Sequence, residues 1–131
     1  MKKISKTNEM WKKELANDVY SVVREKGTEA PFSGQYDKNY KDGLYKCICC
    51  KNILFSSEHK FNSGSGWPSF FKVYSNDSVD CKKDNSHNML RIEVICKKCD
   101  SHLGHVFEDG PKPTGLRYCI NSLALDFIED K

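Results

Sequence analysis

The chain has 131 residues, 38% hydrophobic and 30% charged, with a net charge of +3 from 21 basic and 18 acidic side chains. That profile fits one soluble globular domain with one core and excludes a disordered chain. No apolar run approaches the ~20 residues that span a bilayer. The lysine-rich start lacks the ~7–15-residue apolar region of a secretory signal, so the cytoplasm is the expected compartment. The positive charge is too slight and too scattered for a nucleic-acid-binding face.

Along the chain, Trp11, Leu15, Val19, Val22 and Val23 recur at three- and four-residue spacing, which predicts a helix from about Asn8 to Lys26. Gly27 is placed to end it. Residues 1–30 thus read as an N-terminal helical segment on a β domain spanning 31–131. The stretch "TEAPFSGQYDKNYKDG" carries turn residues and reads as an arm. After Gly43 short strands follow: "LYKC", "NILF", "FFKVY", "LRIEVI", "HVF", "LRYCIN" and "LALDFI". Leu90, Ile92 and Val94 alternate with Arg91 and Glu93, the pattern of a half-buried strand. Many short strands between turn clusters predict antiparallel sheets in a small barrel or sandwich.

Seven cysteines cannot all pair with one another, and without a secretory signal metal or redox chemistry is the better reading. Cys47 and Cys50 form one C-x-x-C pair, Cys96 and Cys99 another, with 45 residues between them. Two such pairs supply the four thiolates of a closed, structural Zn²⁺ site, one ion per chain. Reducible disulfides or a redox motif are the alternative, although a thioredoxin-like motif wants a βαβ context that the chain lacks. Cys49 could replace Cys50, but C-x-C geometry is less common.

Cys49, Cys81 and Cys119 remain. Cys81 lies in the polar run "DSVDCKKDNSHN", which reads as an exposed loop. If "RYCIN" is a strand, Arg117, Cys119 and Asn121 share one face, and Leu116, Tyr118 and Ile120 the other. A structural thiol belongs on the apolar side. Arg117 can lower the thiol pKa, so Cys119 reads as a nucleophile. A leaving oxygen or amine needs an acid, and His102 and His105 are the candidates. A zinc-binding adaptor or nucleic-acid module would explain the C-x-x-C pairs but not this polar face.

The segments "KFNSGSGWPSF" and "CKKCDSHLGHVFEDGPKPTGLRYCINSLAL", with both C-x-x-C pairs, resemble the B-type methionine-R-sulfoxide reductases from about Pro31 to Phe127. The resemblance implies a mainly β fold of two antiparallel sheets in a barrel-like domain. It implies reduction of methionine-R-sulfoxide, chiefly in oxidised proteins and weakly as the free amino acid. Cys119 would be the nucleophile, passing through a sulfenic acid that thioredoxin or another thiol reduces. His105 would be the acid with His102 beside it, and Asp109 would order the hydrogen bonds around them. Arg117 and Asn121 would orient substrate, and Trp67 would pack on the S-methyl group. Many relatives carry a resolving cysteine in the middle of "SGxGW", where this chain has Ser65. Cys81, Cys49 or an external thiol must then do that work. The expected state is a monomer without nucleic-acid or membrane partners.

Overall fold

The computed structural model describes residues 3–85 and 89–130. The predicted helix is two helices, α1 (Asn8–Glu14) and α2 (Asn17–Val23), separated by extended backbone at Leu15 and Ala16. Asn17 and Asp18 follow the break, and the Asp18 carboxylate accepts from the Val19 N–H at 2.8 Å. Such short polar side chains compete with bonding inside a helix but suit its first turn. Trp11, Val22 and Val23 are buried against the β domain. The left-handed residue after α2 is Lys26, with φ 57°, rather than Gly27. Gly27 is needed for a different reason: a Cβ there would stand 2.8 Å from the Ser21 carbonyl oxygen.

Among the described residues, nine strands make two antiparallel sheets. The first holds β1 (Gly43–Cys47), β2 (Ile53–Ser56) and β9 (Leu125–Glu129) in the order β2-β1-β9. The second holds β3 (Lys60–Phe61), β4 (Ser69–Phe70), β5 (Val79–Asp84), β6 (Arg91–Cys96), β7 (His102–Phe107) and β8 (Arg117–Ile120). Their order is β3-β4-β8-β7-β6-β5. The sheets pack as a barrel-like pair over one core. Phe55 from β2 stacks on Phe70 from β4 at 4.3 Å, and Tyr45 from β1 meets Phe70 edge-on at 5.1 Å. Leu103, Ile120 and Leu125 fill the space between them.

Two strand expectations change. Of "FFKVY" only Phe70 belongs to a strand, β4, and Phe71 and Tyr74 make isolated backbone bonds to His59 and Leu54. The supposed loop around Cys81 is β5, paired along its whole length with β6. Its aspartates and lysines suit an edge strand, where charge discourages pairing with another chain. Among the described residues no helix is long and apolar enough to cross a membrane.

Candidate active site

Strand register sets the site. Directly opposed residues on antiparallel strands point to one face. One row across the larger sheet is therefore Ser69, Cys119, His105, Glu93 and Lys82. The next row on that face is Arg117, Phe107, Arg91 and Asp84. The opposite face carries Ile120, Gly104, Val94 and Cys81. Cys119 thus lies on the polar face with Arg117, as the alternation of "RYCIN" predicted, while Ile120 faces the core.

His102 and His105 stand three residues apart, a spacing that sends side chains to opposite faces of a regular strand. A register shift resolves this. Val94 pairs with Gly104 and Ile95 with His102, leaving Leu103 as an extra residue on β7. The bulge keeps both imidazoles on one side, with ring centroids 5.4 Å apart, while Leu103 is buried in the core.

Each imidazole has a buried carboxylate. His105 Nε2 lies 2.8 Å from Asp84 Oδ2, and His102 Nδ1 lies 2.7 Å from Glu93 Oε2. With the carboxylates accepting, those nitrogens carry the protons, and Nδ1 of His105 and Nε2 of His102 are the ring acceptors. His102 Nε2 is buried and has no hydrogen-bond partner among the described residues. Burial pushes the His102 pKa below its ordinary value although Glu93 pulls it up, so the ring is neutral. The Lys26 ammonium stands 3.6 Å from Asp84 and 3.5 Å from Glu93, balancing both. Its left-handed backbone is an uncommon conformation for a non-glycine residue.

In front of Cys119 is a cleft of about 90 Å³ lined by Trp67, Arg91, His105, Cys119 and Asn121, with Thr28 and Phe107 at its sides. Buried Glu29 from the arm organises one wall. Its N–H donates to Asn121 Oδ1 and its carbonyl accepts from Trp67 Nε1, both at 3.0 Å. Asn121 Nδ2 donates to the Leu103 carbonyl at 3.0 Å, tying that wall to the bulge. Both polar ends of Asn121 are thus engaged by protein.

Burial raises the Cys119 pKa above its ordinary value; the Arg117 charge, the Ser65 hydroxyl and a hydrogen bond from Arg117 oppose that rise without reversing it. The expected pull from Arg117 exists, but the resting group is a thiol. Asp109 does not order the histidines. It is an exposed partner of Arg117, at 2.8 and 3.1 Å, and steadies the guanidinium where it lies over the Phe107 ring at 4.5 Å. Ser65 lies beside Cys119, and its Oγ is 2.8 Å from Ser63 Oγ. Cys81, a predicted resolving thiol, lies three strands away on the opposite face, and Cys49 lies beside the C-x-x-C thiols.

Asp84, Glu93, Lys26, Arg91 and Glu29 escaped the sequence reading. For Arg91 and Glu93 a signal existed. They are the polar half of an alternating strand, a pattern that marks a second face without saying whether water or a cleft covers it.

At the other end of β6, the sulfurs of Cys47, Cys50, Cys96 and Cys99 all lie within 4.8 Å of one another. Cys47 Sγ is 3.6 Å from Cys99 Sγ, and Cys50 Sγ is 3.5 Å from Cys96 Sγ. Disulfide sulfurs would stand at ~2.05 Å, whereas four sulfurs ~2.3 Å from one ion stand roughly 3.8 Å apart. The cluster therefore fits a tetrahedral metal. Both C-x-x-C turns close alike: Lys51 N–H donates to the Cys47 carbonyl and Asp100 N–H to the Cys96 carbonyl, each at 2.9 Å. Lys51 and Asp100 are both left-handed, at φ 65° and 62°. Cys50 rather than Cys49 completes the set.

Residues 15–129 match the SelR domain family. The chain is 59% identical over 128 residues to peptide methionine sulfoxide reductase MsrB of Pseudomonas syringae pv. syringae, covering 98% of both chains. It is 58% identical to the protein of that name from Thioalkalivibrio sulfidiphilus, over 92% of this chain and 88% of the relative. A Methanosarcina mazei MsrB is 56% identical over 98% of this chain and 92% of its own length. With nearly full-length matches to relatives of one name, the chain belongs to the MsrB family of peptide methionine sulfoxide reductases.

Proposed function

We propose that the protein reduces the R epimer of methionine sulfoxide in oxidised polypeptides, and weakly the free amino acid, with Cys119 as oxygen acceptor. The carrying observation is the cross-strand pairing of Cys119 with His105 inside a cleft walled by Trp67. The Cys119 sulfur becomes bonded to the sulfoxide oxygen as the substrate S–O bond breaks. The thiol proton passes by way of His105 to that oxygen, giving methionine and Cys119 sulfenic acid. Cys119 loses two electrons and the substrate sulfur gains two. A sulfoxide oxygen departs poorly without a proton, so proton delivery belongs in the transition state. Asp84 fixes the His105 ring, as His102 is fixed by Glu93. Arg117, steadied by Asp109, offsets charge on sulfur. Asn121, through Glu29, sets the wall that carries Trp67, whose ring packs on the S-methyl group.

A thiol then condenses with the sulfenic acid, releasing water, and a second thiol reduces the mixed disulfide. A dithiol such as thioredoxin supplies both. Ser65 stands beside Cys119, and the facing and distance of Cys81 favour an external thiol over an internal one. Cys47, Cys50, Cys96 and Cys99 would hold Zn²⁺, which crosslinks the two sheets and leaves no coordination position for chemistry. Seven free cysteines and a thiol-regenerated site suit a reducing cytoplasm and a monomer engaged in repair of oxidative damage.

Supplying both sulfoxide epimers with dithiothreitol tests this reading. Only the R epimer should disappear, and Cys119→Ser should stop its loss. Consumption of neither epimer, or turnover that survives the substitution, defeats it.

A further inference from the structure

We propose that Phe32, on the rim of the Cys119 cleft, is a docking surface for the polypeptide residue next to the oxidised methionine. This rests on the reading of the chain as a peptide methionine sulfoxide reductase. The cleft, at about 90 Å³, is small beside the ~300–1,000 Å³ pockets that take larger ligands. It admits one side chain, so the flanking polypeptide must run over the rim. The arm from Thr28 to Phe32 passes the Trp67 side of the cleft, entering its lining at Thr28 and reaching Gly66, next to Trp67, at Phe32. Thr28 lines the cleft, the Glu29 carbonyl holds Trp67 Nε1, and Phe32 N–H donates to the Gly66 carbonyl at 2.8 Å. A Cβ on Gly66 would stand 2.9 Å from Phe32 Cδ2, so the Phe32 ring lies against the residue preceding Trp67.

Two features make Phe32 anomalous as a structural residue. It is 63% exposed, the most exposed aromatic side chain among the described residues. It also occupies the third position of a turn closed by Ser33 N–H to the Ala30 carbonyl, with φ 63°. After a proline in the second position, such turns place Gly or Asn third, because a bulky residue there is strained. The fold gains little burial from this ring and bears the strain of holding it. A strained, exposed aromatic lying against the residue that precedes Trp67 is suited to contact with substrate.

The test compares a methionine-R-sulfoxide peptide with free methionine-R-sulfoxide, using dithiothreitol as reductant so that docking of a protein reductant is not read. Phe32→Asn tolerates the left-handed backbone and removes the ring. It should hold Tm or raise it by about 3 °C, and lower kcat/KM for the peptide roughly five- to tenfold, chiefly through KM. Free sulfoxide should change by less than about twofold, and Phe32→Tyr should retain peptide activity. Equal losses on both substrates, or none on the peptide, overturn the proposal. So does a fall in Tm with parallel activity losses, which would make Phe32 structural. If the unsubstituted protein turns over neither sulfoxide, the reductase reading itself fails, an outcome separable from any effect of Phe32.

Discussion

The two ends of β6 carry opposite kinds of site. At one end Cys96 joins a knot of four like thiols held by two turns of the same geometry. At the other, Arg91 and Glu93 share a face with a thiol, two imidazoles and an indole, each in a different setting. The knot is built by repetition. Its groups are alike, and one metal ion held by all four would fasten one sheet to the other. The cleft is built by contrast. One imidazole lines it, its neighbour is buried and neutral, and the thiol is raised by burial against the pull of a guanidinium. Holding parts together rewards symmetry, whereas moving a proton and an oxygen rewards inequality between neighbours.

The sharpest way to separate the regions is to disable each alone. Removing metal with a chelator, or Cys47→Ser, should cost on the order of 5 kcal/mol or more and unfold both regions together, as read by thermal melts with metal analysis. Activity that persists in stably folded, metal-free protein would break the comparison. Cys119→Ser should do the reverse. We expect turnover to fall at least about 10³-fold while Tm and bound metal stay the same.

Within the cleft, the carboxylates should be unequal. Asp84→Asn loosens the ring paired with Cys119 and should lower kcat about 10²-fold. Glu93→Gln acts one ring further away and should cost less activity but more stability. Equal effects on kcat would show that both imidazoles contact the reacting atoms. The smallest effect concerns pH. Burial holds His102 below its ordinary value of 6.5, so the unfolded chain takes up its proton first as pH falls. Stability from this group is complete above about pH 6.5 and declines as acidification proceeds toward the lower folded value, by at most about 1.4 kcal/mol per pH unit. Thermal melts from pH 7.5 to about 5 should show that decline, and it should flatten in His102→Asn.

The same contrast explains what could be read from the chain. Repetition leaves a mark in spacing, so the four knot cysteines stand out as paired C-x-x-C motifs. Alternation likewise marks the face that Cys119 occupies. The charged shell left no such mark. Asp84, Glu93 and Lys26 come from an edge strand, a central strand and the turn after a helix, and meet only through sheet register and one left-handed residue. Cys81 was misread because lysines and aspartates around it look like loop residues, although an edge strand tolerates them equally well. Asp109, which the resemblance implies orders the histidines, lies four residues from His105, but its carboxylate turns to Arg117.

Leu103 acts as a parity switch. Because strand side chains alternate, the chain between the two imidazoles must contain an odd number of intervening residues for them to share a face, or one residue must drop out of the count. Deleting Leu103 would leave one residue between the imidazoles and a regular alternation that keeps them on one face, but it would remove a core leucine and the carbonyl to which Asn121 donates twice, from its backbone N–H and from Nδ2. Substitution at this position changes packing alone, whereas deletion also cuts the tie between Asn121 and β7. The residue that drops out of the alternation thus also anchors, through one backbone oxygen, the wall that Asn121 and Glu29 build beside Trp67.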